Sequence, residues 1–341
     1  MTALARVVDA LASAGFTVTV DAPFGELTTY GVGGRCAALV EVSGSARAVA
    51  VAETVASCGP VRTVVLGNGS NTLVSDEGFD GLVVRLVPSR NPADFEVKVL
   101  DGSVTADGWM PLPVLARRAV AAGGCGLEWA VGVPGTVGGA VRMNAGGHGA
   151  ETVDSLESAQ VVSLASGRSE VFAAGDLGLH FRGSALGDTH LVVCATFAVR
   201  DPAGHDCAAE LAGIVSWRRA NQPGGHNAGS VFVNPAPGEG SSGALIDAAG
   251  MRGHRVGGAA VSDKHANFIQ ASEEATASDI VAVMSDVQDA VRNTHGVVLR
   301  SEVRMVGFGE DVVARFAAEG HADGPVIAAA AAIARRLGET P

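Results

Sequence analysis

The sequence predicts an α+β fold in several parts, and three observations predict it. A strand–helix–strand–strand run comes first, a block of short strands broken by turns follows from about residue 95, and a helical period returns after DPAGHD at 201–206. With 341 residues, 47% of them hydrophobic, and 46 glycines, the chain is long enough for two or three modest cores joined by many loops.

Taken in order, MTALARVVDALASAGF sets Leu4, Val7, Val8 and Leu11 on one helical face, with Arg6 and Asp9 interrupting the apolar stretch. That pattern predicts an amphipathic helix and not a signal peptide. CAALVEV (36–42) reads as a strand, SARAVAVAETVAS (45–57) as a helix, VRTVVLG (61–67) and GLVVRL (81–86) as further strands, a βαββ unit. EVKVLDGSVTA turns at Asp101-Gly102, PLPVLARRAVAAG (111–123) is a helix, AQVVSLASGRSEVF turns near Ser166-Gly167, and HLVVCATFAV (190–199) is a strong strand. Beyond a boundary near 205 come the helix CAAELAGIVSWRRANQP, the strand NFIQ, the helix ATASDIVAVMSDVQDAVRNTHG and the strand VVLRSEVRMVGF (297–308), the last three read as a second βαβ unit. The predicted divisions are 1–86, 87–204, 205–308 and a tail, 309–341, whose PVIAAAAAIARRLGE is a docking or exposed helix.

Composition narrows the function. Twenty-four basic against 36 acidic residues give a net charge of −12, which argues against a nucleic-acid surface or an anionic membrane, so an anionic ligand needs a local cluster of cations. No apolar run approaches the ~20 residues of a membrane span. Cys36, Cys58, Cys125, Cys194 and Cys207 contain no C-x-x-C pair and read as small core residues of a reducing cytosol. The nine histidines show no metal-ligand spacing, so no metal is expected.

Two glycine-rich stretches carry the ligand signal. LGNGSNTLVSDEGFDG (66–81) follows a strand, and its Gly-x-Gly-Ser-Asn offers successive backbone N–H groups suited to a pyrophosphate. It is neither a Rossmann fingerprint, since Thr72 stands at the third glycine position, nor a Walker loop. VGVPGTVGGAVRMNAGGHG (131–149) has a tight turn at Pro134-Gly135, and Gly138-Gly139 admit a flat ligand or another backbone. These residues alone point to a dinucleotide or nucleotide held by backbone contacts. In NAGSVFVNP (227–235), Ser230 lacks the G-x-S-x-G elbow of a hydrolase and, taken alone, reads equally well as a loop serine.

Seven blocks in order, TTYGVGG (28–34), LGNGSNTLVSDEGFDG, GLEWAVGVPGTVGGAVRMNAGGHG (126–149), FRGSAL (181–186), NAGSVFVNP, GALIDAAGMRGHRVGGAAVSDKHANFI (243–269) and SEVRMVG (301–307), closely resemble the UDP-N-acetylenolpyruvoylglucosamine reductases, flavoenzymes of bacterial peptidoglycan precursor synthesis. The resemblance, from about residue 20 to 308, implies a two-part FAD-binding domain of the vanillyl-alcohol-oxidase type, then an α+β substrate-binding domain. It implies non-covalent FAD, NADPH as hydride donor and a UDP-sugar enolpyruvyl ether as substrate, in a cytoplasmic monomer or weak dimer. Carried over by position, the catalytic residues are Arg182, Ser230 as proton donor and Glu302, in a strand-like run with Arg300 and Arg304 on the same face. Cofactor contacts fall on Tyr30, Gly31, Gly67, Asn68, Gly69, Ser70, Asn71, Gly132, Pro134, Gly135, Thr136, Val137, Gly138 and Gly139, and substrate contacts on Arg218, Asn234 and His265. Two departures stand out: Asn221 and Val233 replace lysines usual in the family, and Arg218, Arg219 or His226 are expected to compensate. Two alternatives stay open from sequence: a related FAD oxidoreductase with another substrate, and a non-catalytic UDP-sugar-binding paralogue.

Overall fold

The structure is a computed structural model, described here for residues 2–88, 96–236, 238–317 and 324–339. Helix α1 (Ala3–Ser13), capped by the Thr2 hydroxyl, buries Val7 and Leu11 as its period predicts. Strands β1 (Val18–Ala22), β2 (Cys36–Val42), β3 (Thr63–Leu66) and β5 (Phe79–Leu86) form one sheet in the order β1-β2-β5-β3, with α2 (Ser45–Ser57) as the crossover after β2. The β2–β5 and β3–β5 pairs are parallel, which is why β2 and β5 read as near-continuous apolar runs. Between β3 and β5 the chain makes the glycine loop and a short strand, β4 (Thr72–Val74).

A second, antiparallel sheet collects β6 (Val99–Leu100), β7 (Ser103–Asp107), β10 (Leu156–Ser163), β11 (Ser169–Ala173) and β12 (His190–Ala198) in the order β11-β10-β12-β7-β6. Helices α3 (Leu112–Ala121) and α4 (Val137–Met143) and a small hairpin, β8 (Gly146–Gly147) with β9 (Ala150–Glu151), are inserted between β7 and β10. The second glycine stretch is therefore part helix: Thr136 accepts from the Gly139 N–H as an N-cap, and Gly138-Gly139 lie in the first turn of α4. Residues of both sheets share one core.

The C-terminal part has its own core, built on α7 (Ala277–His295). It also holds α6 (Ser242–Ala248) and a three-stranded antiparallel sheet of β13 (Arg255–Val256), β14 (Ala259–Val261) and β15 (Ile269–Ala271), whereas α5 (Cys207–Asn221) buries Leu211 and Ile214 in the first core. The expected second βαβ unit is absent from this arrangement. Of VVLRSEVRMVGF only β16 (Arg304–Val306) is strand, and it pairs not with β15 but, in parallel, with β4 of the N-terminal part. The following α8 (Glu310–Phe316) buries Phe316 in the C-terminal core. The tail helix α9 (Gly324–Arg336) docks: Ile333 and Leu337 are fully buried in the first core, and Arg336 pairs with Glu170 and Asp176.

Cysteine usage needs one correction. Cys36 is buried as expected, but Cys125 and Cys207, 82 positions apart, form a disulfide. It pins the start of α5 to the segment that leads into the cavity wall at Gly132, and the Arg218 guanidinium donates to the Gly132 carbonyl from the last turn of the same helix. A bond closing so long a loop contributes roughly 2–4 kcal/mol. Cys207→Ser, or dithiothreitol on the unmodified protein, should lower the thermal unfolding midpoint by several degrees in a differential scanning experiment; identical midpoints in all three samples would show that the bond does not hold this helix.

Candidate active site

A cavity of about 460 Å³ opens where the two parts meet. Its walls are the loop after β3, the segment from Gly132 to the first turns of α4, the end of α5, the 222–230 loop, and the side chains of Arg182, Glu302 and Arg304. This volume lies in the range of small-molecule and cofactor sites.

The loop from Gly67 to Asn71 is fixed by its carbonyls and side chains, while its amides stay available. Gly69 O accepts from Thr29 N at 3.2 Å, the Ser70 hydroxyl donates to Pro134 O at 3.1 Å, and the Asn71 amide donates to Glu302 O at 3.0 Å. Among the described residues, the N–H groups of Asn68, Gly69, Ser70 and Asn71 make no backbone hydrogen bond. Gly69 sits at φ +61, where a Cβ would also meet the Leu27 carbonyl at 2.6 Å. Four open amides in a row are a nest for an anion. The second glycine stretch contributes differently. Val137 N and Gly138 N are given to Met110 O and Gly108 O, and a Cβ on Gly138 would lie 3.1 Å from two carbonyl oxygens, so these residues seat α4 on the sheet.

Cations are concentrated as an acidic chain requires. Arg142, Arg218 and Arg304 line the cavity; Arg142 and Arg304 share Asp188, and the Arg142 Nε is buried without a partner. Burial, then the neighbouring Arg304, hold the Arg142 guanidinium down to about 10, so an arriving anion relieves an electrostatic cost. Open amides beside a buried guanidinium whose Nε has no partner among the described residues fit the pyrophosphate of FAD.

At the other end of the cavity stand the three residues expected to carry chemistry. Arg182 lies in the tight turn closed by His180 and Gly183, at φ +57. Its Nη1 donates to Glu151 Oε1 at 2.8 Å and its Nε faces Glu302 Oε1 at 3.2 Å. The Glu302 carboxyl is pushed up to about 7: burial is the main cause, Arg182 pulls the other way, and Glu151 adds to the rise. Ser230 lines the same cavity, and its hydroxyl has no hydrogen-bond partner among the described residues. Its loop is rigid on the far side, where the buried Asn267 accepts from Phe232 N at 2.9 Å through Oδ1 and donates to Phe232 O at 2.8 Å through Nδ2. Val231 O in turn accepts from Glu302 N at 2.8 Å, so the serine loop and the Glu302 segment are one hydrogen-bonded unit.

The cavity thus gathers Arg182, Ser230, Glu302 and Arg218 with Gly67, Asn68, Gly69, Ser70, Asn71, Gly132, Pro134, Gly135, Thr136 and Gly139. Six expected residues lie off its wall. Tyr30 and Val137 are core residues, Gly31 packs against the His226 ring, and Gly138 lines a smaller adjoining pocket. Asn234 accepts from Ser242 N, in the first turn of α6, at 3.0 Å. His265 stands one layer back, edge-on to the cavity-lining Phe268, its imidazole lowered by burial and then by Arg252. Val233 is buried and Asn221 bonds the Trp217 carbonyl, so neither faces the cavity; of the proposed substitutes for the missing lysines only Arg218 does. Arg300 is exposed and Arg304 lines the cavity beside Glu302, so the three do not act as one face. Sequence reasoning missed Asn144, Asn267 and Arg142, which lie within the quoted motif blocks, and Glu151, two residues beyond one of them; no local pattern marks any of the four. The described residues hold one cluster of potential metal donors, Cys125, Glu128 and Cys207, but its sulfurs are bonded to each other and Glu128 accepts from Gly126 N.

The chain is similar to known proteins over most of its length. Residues 221–306 match the family model for the UDP-N-acetylenolpyruvoylglucosamine reductase C-terminal domain, and 37–172 match that for an FAD binding domain. A UDP-N-acetylenolpyruvoylglucosamine reductase of a Synechococcus species is 40% identical over 293 residues, covering 84% of this chain and 93% of the relative. One from Gloeobacter violaceus is 42% identical over 249 residues, 72% of this chain and 82% of the relative. The crystal structure of UDP-N-acetylenolpyruvylglucosamine reductase from Thermus caldophilus superposes with a TM-score of 0.70 at 32% identity, covering 85% of this chain and 98% of that one. Among the described residues that line the cavity there is no histidine, cysteine or tyrosine. Acid precipitation of the purified protein should release yellow flavin into the supernatant; colour retained in the pellet, or protein that takes up no added FAD, would contradict this cavity as the flavin site.

Proposed function

The chain belongs to the UDP-N-acetylenolpyruvoylglucosamine reductase family, and from that premise we propose that it reduces the enolpyruvyl ether of UDP-N-acetylglucosamine to UDP-N-acetylmuramate at the expense of NADPH. The observation that carries the reading is the arrangement of Arg182, bracketed by Glu151 and Glu302, in the same cavity as a hydroxyl at Ser230 that no described residue engages. Bound FAD, reduced by NADPH, supplies hydride to the terminal carbon of the enolpyruvyl group.

What the chain itself does follows from where charge then develops. Negative charge spreads from the carbon bearing the ether oxygen into the substrate carboxylate, and the planar Arg182 guanidinium can hold both carboxylate oxygens. Glu302, with its carboxyl near neutrality at physiological pH, donates a hydrogen bond to that growing charge in its protonated form. Ser230 delivers a proton to the carbon from one face, which sets the D configuration of the new lactyl ether. A hydroxyl is a poor acid in water, but a rigid loop that excludes solvent lets it serve a carbanion-like partner. To Arg218, which lines the cavity from its bonds to the Gly132 carbonyl and Gln222, we assign the contact with the UDP diphosphate in place of the family's lysines. We place the reaction in the cytoplasm, where UDP-sugars and NADPH are available, as a step of peptidoglycan precursor synthesis.

Ser230→Ala should leave FAD binding and flavin reduction by NADPH intact while slowing reoxidation of the reduced flavin by the enolpyruvyl substrate ~10²–10⁴-fold, read by anaerobic stopped flow. A rate within a few-fold of the unmodified protein would make Ser230 a loop serine. In the same instrument, Arg218→Ala should raise KM for the UDP substrate with the NADPH half-reaction unchanged; an unaltered KM would place the diphosphate elsewhere. The acid form of Glu302 is lost as pH rises through about 7, so substrate-driven reoxidation should decline across that pH, and a flat profile from 6 to 8 would remove Glu302 from the proton inventory.

A further inference from the structure

Arg182 is held by more than its catalytic partner. Its backbone lies in the left-handed region, which a side chain other than glycine occupies only when the surroundings hold it there. The guanidinium is fixed through Nη1 to Glu151, at 2.8 Å, and Nη2 leans on the Gly146 carbonyl at 3.4 Å, which leaves N–H groups on both terminal nitrogens for an incoming carboxylate. Glu151 is itself immobilised. Its Oε2 accepts from the Asn144 amide at 2.9 Å, and Asn144, buried at the left-handed end of α4, also donates to His180 O and accepts from Val153 N. One buried asparagine therefore ties together the end of α4, the Arg182 turn and the hairpin that presents Glu151.

Charge makes this arrangement more than scaffolding. Two carboxylates on one guanidinium leave an excess negative charge if both ionise, and the substrate then adds a carboxylate and a diphosphate. Both Glu151 oxygens are engaged as acceptors, from Asn144 and Arg182, whereas Glu302 meets Arg182 through one oxygen, so of the two carboxyls Glu302 is the one with room for a proton. The other cavity cations are already turned elsewhere: Arg304 and Arg142 toward Asp188, Arg218 toward Gly132 O and Gln222. We propose that Glu151 is a positioning residue of this site, which fixes the Arg182 guanidinium for the substrate carboxylate and, as the second carboxyl group beside it, keeps the exchangeable proton on Glu302. This rests on the reductase reading for its consequence in turnover, but the location of the proton is a property of the protein alone.

The test uses the FAD-loaded protein and the variants Glu151→Gln, Glu151→Asp and Glu302→Gln. Infrared titration of the carboxylic C=O band that Glu302→Gln removes should give a midpoint near 7 in the unmodified protein. In Glu151→Gln, where a like charge is lost, the midpoint should fall by roughly one pH unit. Glu151→Asp, which keeps the charge but shortens the reach, should leave the midpoint in place while slowing reoxidation of the reduced flavin by the enolpyruvyl substrate several-fold. NADPH-driven flavin reduction should be unchanged in both. The alkaline limb of substrate-driven reoxidation should move down with the midpoint in Glu151→Gln. A midpoint in Glu151→Gln equal to that of the unmodified protein overturns the proposal, as does full activity in Glu151→Asp. If the unmodified protein is not reoxidised by the substrate at all, the reductase reading fails, and the infrared midpoints still decide what Glu151 does.

Discussion

Three residues of strand connect the two parts of this molecule, and the site depends on them. β16 leaves the C-terminal core and runs parallel to β4, placing Arg304 opposite Thr72 and Val306 opposite Val74. At its start, Asn71 holds the segment from both sides, accepting from Arg304 N and donating to Glu302 O, while Glu302 N reaches Val231 O. Each such bond is worth about 1 kcal/mol net, but together they place the amide loop, the Glu302 carboxyl and the Ser230 loop in one hydrogen-bonded frame. A second tie lies nearby: Asp76, just beyond β4, accepts from Ala277 N, Ser278 N and the Ser278 hydroxyl of α7, its negative charge at the positive end of the helix. The N-terminal part thereby holds the first turn of the helix on which the C-terminal core is built, in addition to that helix's own cap at Thr276.

Within that frame the chemistry follows from how few charges are left uncommitted. A chain of net charge −12 must attract a dinucleotide and a nucleotide sugar, and it does so with four cavity arginines and a run of free amides instead of a basic surface. Burial then acts in opposite senses on the two ends of the cavity. It lowers the Arg142 guanidinium and so favours an anion beside it, and it raises the Glu302 carboxyl and so retains a proton where the reaction builds negative charge.

Much of this was legible in the sequence, and the parts that were not share a cause. The βαββ unit follows from local period: Ala48, Val51, Ala52 and Val55 form the buried face of α2, and the runs of β2 and β5 are apolar because both faces are covered. The Gly67–Asn71 loop declared itself because two glycines after a strand have few other uses. α4 did not, since a helix opening Val-Gly-Gly has poor propensity and its N-cap, Thr136, follows a Pro-Gly turn. β16 is too short to show its partner, and VVLRSEVRMVGF reads as one strand although only its end pairs with a neighbour. Glu151, Asn144 and Asn267 matter through side-chain bonds to segments far away in the chain, as the Cys125–Cys207 bond does, and no periodicity reports such contacts. Recognition by resemblance reached Arg182, Ser230 and Glu302 where local physics left Ser230 an ordinary loop residue.

The central claim is that this cavity passes a hydride and a proton from NADPH and the protein to an enolpyruvyl ether. The most direct measurement is anaerobic: NADPH oxidation by the FAD-loaded protein with and without UDP-N-acetylglucosamine enolpyruvate, with the product identified by mass and by the configuration of its new centre. NADPH should be consumed only in step with the enolpyruvyl substrate, and the product should be heavier by one hydride and one proton and carry the D-lactyl ether. Oxidation of NADPH that ignores the substrate, or substrate recovered at its original mass, would contradict the account.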